Sequence, residues 1–234
     1  MILVRKRVIC LGRKGNKEHI HIAEFNTEVT TLDIAYKDFF DEMQTFNAGE
    51  GYKNFNDFIL EEAMEYRDAG EGATHIVWNV VYNENGIEQM REIVSFYTLA
   101  TSAIPYEDRI RLDEDEEKKL GKGFDSQICG IPALEIKMFA VDEKYQDIFF
   151  EYQGEDLPIS AWIMRNIVSY AKELISDEVG FKAIFLHSLP DAEKFYLENE
   201  FNRVQINMKP LYGVNSEYTA MYFALKTVHM NYDM

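Results

Sequence analysis

Along the chain, short runs of β-branched and aromatic residues alternate with stretches whose apolar positions recur at helical spacing. Residues 1–10 and 17–25 read as strands, with "GRKGN" as the turn between them. In "TTLDIAYKDFFDEMQTF", Leu32, Ile34, Phe39, Phe40 and Met43 fall near helical spacing. After the loop "NAGEGYK", a second helix carries Phe55, Phe58, Ile59, Ala63, Met64 and Tyr66 and stops at Gly70. Residues 74–82 and 92–101 then form a hairpin whose connection contains "NENG". The charged run "DEDEEKKLGKG", residues 113–123, is expected as a solvated loop or frayed helix.

The second half continues with a long strand, "IPALEIKMFAV", residues 131–141. A helix from Leu157 to Ile175 presents Trp162, Ile163, Ile167, Tyr170, Ala171 and Leu174 on one broad face. "FKAIFLHS" reads as a strand, "DAEKFYLENE" as a short helix, and "FNRVQIN" and "YTAMYFALKTV" as strands. This order predicts a mixed α/β (α+β) fold around one central sheet, with helices on both faces. We expect an N-terminal strand extension over 1–26 packed on the core, a single domain over 27–228 and a flexible tail over 229–234.

Composition narrows the function classes. A chain of 234 residues that is 47% hydrophobic, with 16 Phe and 14 Tyr, can build one sizeable core. No apolar run is long enough to span a bilayer, and the N-terminus lacks a separate apolar signal region, so a soluble cytoplasmic protein is expected. Cys10 and Cys129 sit in apolar settings without a C-x-x-C partner and read as buried, reduced thiols. The formal charge of −17 opposes non-specific nucleic-acid binding, which needs a basic footprint. His19 and His21 alternate onto one strand face, but no third ligand is evident and no metal is expected.

Several stretches carry a resemblance. "TFNAGEGYKNFNDFILEEAMEYRDAGEGATHIV" and "IVSFYTLATSAI" are followed by "LEIKMFAVD" and, later, "FLHSLPDAEKFYLENEF". In order and spacing these resemble the GNAT acyl-CoA N-acyltransferase superfamily, nearest to its small bacterial toxin-type branch, which acetylates aminoacyl-tRNA. The likeness covers roughly residues 27–226. It implies a GNAT-like mixed sheet and acetyl-CoA, or another acyl-CoA, as acyl donor. In the family a turn of the form Q/R-x-x-G-x-G/A holds the donor's pyrophosphate through backbone N–H groups at a helix N-terminus.

This chain departs from that turn. Tyr145-Gln146 is followed by Asp147, and a second Tyr152-Gln153-Gly154 comes later; the second is aligned with the motif because it abuts the helix, leaving "DIFFE" as an insertion. Gln153 and Gly154 then match, while Asp156 and Pro158 stand at the motif's glycines. Asp156 is expected as the helix N-cap, where its carboxylate would take the N–H groups that otherwise hold phosphate. The N–H groups of Ile159 and Ser160 remain as phosphate donors, and the main chain at Phe139 and Val141 matches the strand that pairs with the pantetheine arm.

For the chemistry, Tyr196 matches the family tyrosine that protonates the departing thiolate, and Glu135 resembles the position of a base acting through water. The acceptor is expected to be an amine of a small molecule or a protein, with no membrane partner. An exposed "IFF" at 148–150 is a plausible contact patch, and a homodimer is possible. Two further readings stay open: a non-catalytic GNAT-fold binding protein that has lost coenzyme A, and an enzyme acting on charged tRNA.

Overall fold

The structure is a computed structural model and describes residues 26–111, 113–120, 124–152, 155–177, 180–204 and 218–225. Outside these residues lie the first two expected strands, Cys10, the His19 and His21 pair, the candidate residues Gln153 and Gly154, and the tail. The described strands form a seven-stranded mixed sheet in the order β1-β2-β3-β4-β7-β9-β8 and a separate two-stranded sheet, β5-β6. These are β1 Thr27–Thr31, β2 Ala73–Tyr82, β3 Glu88–Arg111, β4 Phe124–Val141, β5 Phe149–Tyr152, β6 Glu155–Pro158, β7 Ala183–Ser188, β8 Asn202–Arg203 and β9 Thr219–Ala224. The helices are α1 Leu32–Asp38, α2 Phe40–Met43, α3 Lys53–Asp57, α4 Ala63–Asp68, α5 Glu114–Leu120, α6 Glu143–Gln146, α7 Ile159–Asp177 and α8 Glu193–Glu198, with a π-helical turn at Phe58–Glu62.

The chain divides into two compact units, the first Met1–Ala100 with Ile136–Ile167 and the second Thr101–Glu135 with Val168–Met234. In unit 1, β1, β2 and the first part of β3 form an antiparallel meander. Its second connection turns on Asn83, whose Oδ1 accepts the N–H groups of Asn85 and Ile87 at 3.0 and 2.9 Å, and on Gly86 at φ +73. Ile76, Trp78 and Phe96 lie on the face that receives α1–α4, and a β-bulge in β3 opposite Val77 and Trp78 brings Ile93 onto the same face. Val77 and Tyr97 lie on the other face, toward Trp162 and Ile163 of α7. Helices therefore cover both faces of this part of the sheet.

Phe96 is the centre of that core. It is fully buried, and the rings of Phe46, Phe58 and Phe55 surround it at centroid distances of 5.2, 6.0 and 6.5 Å. The second expected helix is present, but its middle turn is π-helical. The Tyr36 hydroxyl donates to the carbonyls of Ile59 and Leu60 at 3.0 and 2.5 Å, answering groups that the wider turn displaces from regular pairing. The helix ends as expected at Gly70, φ +73, where Gly70 N–H donates to Arg67 and Glu71 N–H to Tyr66.

The first expected helix is shorter than its periodicity and is broken in two. Thr30 and Thr31 belong to β1, which pairs with Ile76 and His75 of β2. The helix breaks at Phe39 (φ −141, ψ 31), whose ring packs edge-on against Trp78 at 5.6 Å and lies 4.1 Å under the Arg91 guanidinium. Arg91 is nearly buried and pairs with Glu88 and Glu28 at 2.7 and 3.1 Å. Aromatic packing and a covered cation here override helical continuity.

In unit 2, Ile104, Ala133, Ala183 and Phe185 form the core, with Ile131, Val204, Ala220 and Tyr222 against it. β7 and β8 both pair antiparallel with β9. β3 runs ten residues past the expected end at Thr101, and β4 starts before the expected Ile131. The charged run between them forms α5. Cys129, expected as buried, is a half-buried free thiol on β4.

Replacing Phe96 with alanine is expected to destabilise the protein by about 3–5 kcal/mol, since it opens a cavity among three rings. Urea denaturation monitored by circular dichroism will read this as a lower midpoint at unchanged slope. Ile87→Ser, at an exposed position, will shift stability by less than about 0.5 kcal/mol in the same assay.

Candidate functional site

The end of β4 leads into the stretch that carries the candidate donor turn. Asp142 comes directly after the strand and is completely buried. Its carboxylate accepts the N–H of Lys144 at 3.0 Å, which caps α6, and the N–H of Asn47 at 2.9 Å. Tyr145 is buried, donates to Glu92 at 2.8 Å and receives a longer contact from the Asn79 amide at 3.4 Å. Gln146 donates through Nε2 to the carbonyls of Ala48 and Val141 at 3.0 and 2.9 Å. The first Tyr-Gln pair, which the motif alignment passes over, is therefore the one seated at the strand's end.

Beyond α6 the chain forms a β-hairpin. β5 and β6 pair antiparallel with Phe149 opposite Pro158 and Tyr152 opposite Glu155, so Tyr152, the first residue of the second Tyr-Gln-Gly, lies at the hairpin end away from the helix. Helix α7 starts at Ile159, two residues later than expected. Asp156 is an exposed residue of β6 and no acid occupies the first turn of α7, so the expected N-cap is absent. The backbone reason is the pairing register: opposite Glu151, Asp156 has extended geometry and stands three residues before the first helical one.

The N–H of Ile159, expected to face phosphate, donates instead to the carbonyl of Ile148 at 3.0 Å and closes the base of the hairpin. Pro158 has no N–H to offer. Of the first-turn donors that helix geometry leaves without an intrahelical partner, those of Ser160 and Ala161 remain. Phe139 is half-buried and Val141 buried, and the Val141 carbonyl already accepts from Gln146. Ile148 is buried and Phe149 half-buried, so the expected exposed patch at 148–150 is not formed by these two residues. Unit 1 thus contains Phe139, Val141, Asp156, Ile159 and Ser160. It also has a small groove of about 50 Å3, lined by residues including Val29, Val77, Tyr97 and Trp162, which none of these five lines.

Glu135 and Tyr196 belong to unit 2. Glu135 is buried in mid-strand, because β4 extends eleven residues upstream. Tyr196 sits on α8, buried, with its ring edge-on to Phe195 and Phe201 at 5.1 and 5.6 Å. Among the described residues its phenolic oxygen has no hydrogen-bond partner. Burial pushes the Tyr196 phenol above its ordinary value, and it does the same to Tyr145, where the Glu92 charge adds to the effect. Sequence reading misses Asp142, Gln146 and the hairpin; the only signal for them is the first "VDEKYQ" itself.

No family model matches the chain, and no curated protein matches it. Solved structures do. AtaTR bound with acetyl-CoA superposes with a TM-score of 0.54 at 18% identity, over 85% of this chain and 94% of that one. The chain has the GNAT fold. A tyrosine-to-phenylalanine mutant of KacT gives a TM-score of 0.52 at 16% identity, over 85% and 95% of the two chains. AtaT complexed with acetyl-methionyl-tRNAfMet gives 0.51 at 18% identity, over 85% and 95%. At these identities the likeness establishes the fold alone. The GNAT architecture nevertheless accounts for the succession of β4, turn and long helix, into which this chain has built a hairpin.

Asp156→Ala is expected to change stability by less than about 0.5 kcal/mol, against the roughly 1 kcal/mol that losing a helix cap costs; chemical denaturation distinguishes the two. The raised phenols of Tyr145 and Tyr196 favour the folded state fully below the unfolded value of 10.0. That contribution is lost as pH rises through the folded values. Stability measured from pH 8 upward will therefore fall above about pH 10, and less steeply in a Tyr145→Phe/Tyr196→Phe variant.

Proposed function

We propose that the protein is an acyl-CoA-dependent N-acyltransferase that moves an acetyl group directly to an amine, with Tyr196 as general acid. The observation that carries this reading is Tyr196 on α8, whose ring is packed against Phe195 and Phe201 while its hydroxyl makes no hydrogen bond among the described residues. A hydroxyl that the fold does not engage keeps its proton available to a ligand. Burial also keeps this phenol protonated throughout the physiological range, so a proton is always held there.

The residue roles come from acyl-transfer chemistry. The amine nitrogen bonds to the thioester carbonyl carbon and the carbon–sulfur bond breaks. Glu135 takes the amine's proton through water, and Tyr196 gives its proton to the thiolate. Solvent restores both residues, so protons balance over the cycle. The main chain of β4 at Phe139 and Val141 pairs with the donor's arm. The N–H groups of Ser160 and Ala161 face its phosphates, with Ile159 withdrawn from that set.

Charge selects the acceptor. Residues 32–71, which span α1 to α4, carry eleven acids and three bases, a net charge of −8. Such a face attracts cationic amines and repels polyphosphates. A small-molecule or protein amine fits it, whereas the tRNA carried by AtaT and the DNA carried by KacTA would meet a repulsive field. The inserted hairpin favours a second reading, a non-catalytic binding protein, because it takes a donor from the phosphate turn.

Calorimetric titration with acetyl-CoA decides between them. Micromolar binding, followed by turnover with polyamines or lysine peptides, supports the enzyme; absence of binding supports the second reading. In an active enzyme Tyr196→Phe is expected to lower kcat by about 10²–10³ while leaving donor affinity within about twofold. Unchanged kcat would remove Tyr196 from the acid role.

A further inference from the structure

We propose that Asp142 is a positioning residue that locks the 47–52 loop against the end of β4, so that this loop forms one fixed wall of the donor turn. The inference rests on reading that turn as the acyl-donor site, and it names a part of the machinery that the motif does not contain.

The geometry divides the carboxylate between two tasks. Oδ1 accepts from Lys144, two residues on, which is an ordinary helix cap. Oδ2 accepts from the backbone of Asn47, ninety-five residues away, and contributes nothing to α6 by doing so. The contact is reinforced from both sides. Glu143 N–H donates to the Asn47 carbonyl at 2.8 Å, and the Asn47 amide donates to Glu143 Oε1 at 2.6 Å. Gln146 Nε2 donates to Ala48 O, while the N–H of Ala48 donates to Asn56 Oδ1 of α3 at 2.9 Å. Asn47 and Ala48 thus have both their backbone polar groups assigned to fixed partners.

This anchoring is more than the fold requires of a connection between α2 and α3. Gly49 and Gly51 have φ of +100 and +90, so the tip of the loop uses backbone conformations that glycine makes accessible. A loop of this kind samples many states unless its stem is held. Its stem is held by the residues that join β4 to the hairpin and α7, the segment assigned to the donor. Fixing a binding wall before the ligand arrives removes an ordering cost from binding.

The test separates positioning from capping and from the functional reading. Asp142→Asn keeps shape and can still offer an oxygen to one N–H, but turns its NH2 group toward the other. Asn56→Ala frees Ala48 from the opposite side without touching α6. Amide hydrogen exchange on the full chain is expected to speed up by about tenfold or more at residues 47–49 in both variants. Donor KM is expected to rise about five- to twentyfold in both, with kcat within about twofold. Unchanged exchange at 47–49 in the Asp142 variant would overturn the proposal, as would faster exchange with unchanged KM in an active enzyme. Faster exchange in Asp142→Asn confined to residues 143–146 would reduce Asp142 to a cap and overturn it as well. If the wild-type protein transfers no acyl group, the functional reading fails by itself, and the exchange measurement still decides whether Asp142 sets the loop.

Discussion

The amide of Ile159 is the first donor of α7, and the carbonyl of Ile148 takes it at 3.0 Å. A helix N-terminus presents N–H groups that must be answered by water, side chains, ligand or other backbone. Answering one of them with a carbonyl eleven residues earlier closes the hairpin's base and sets where α7 begins. It also places Asp156 and Pro158 on a strand rather than in the helix's first turn. The altered motif and the altered turn are therefore one event: residues that would leave room for phosphate have become a pair of strands that satisfy each other.

The same requirement organises the stretch before the hairpin. Asp142 is completely buried, and a buried carboxylate is tolerable only with strong donors aimed at it. The two N–H groups it receives come from elements far apart in sequence, so its satisfaction forces the 47–52 loop and the end of β4 together. Arg91 plays a comparable part in unit 1, where its guanidinium covers Phe39 and joins Glu28 of β1 to Glu88 of β3. Buried polar groups with long-range partners specify a unique arrangement, since moving either element leaves a charge unpaired.

In unit 2 the contrast is with Tyr196, whose ring is buried but whose hydroxyl makes no hydrogen bond among the described residues. Tyr145 has the same side chain and a similar depth of burial, yet its hydroxyl is engaged by Glu92 and Asn79. A phenol donating within the fold has its proton committed there, whereas one that donates to nothing in the fold has not. This difference between two tyrosines rests on their neighbours and not on their identity.

Much of the architecture is legible in the pattern of residues. Alternation in 74–82 and 92–101 announces the hairpin, Gly70 announces a helix end, and the face of Trp162, Ile163, Ile167 and Ala171 announces α7. These signals are local: a period of two or of 3.6 residues, or a glycine in a left-handed conformation, depends on nothing distant. The donor turn is less legible, because "DIFFEYQGEDLP" supports either a loop leading into a capped helix or two short strands. Local propensity does not separate these, and the choice is made by the pairing of Phe149 with Pro158 and of Ile148 with Ile159. Likewise no periodicity marks Asp142, the break at Phe39 or the unpartnered Tyr196 hydroxyl. By itself the sequence determined the order and type of elements and the acidity of the chain, through short-range geometry and composition. Only the tertiary structure decided which buried polar groups are satisfied and which stand open, because a hydrogen bond spanning ninety-five residues exists only once the chain has brought its two ends together.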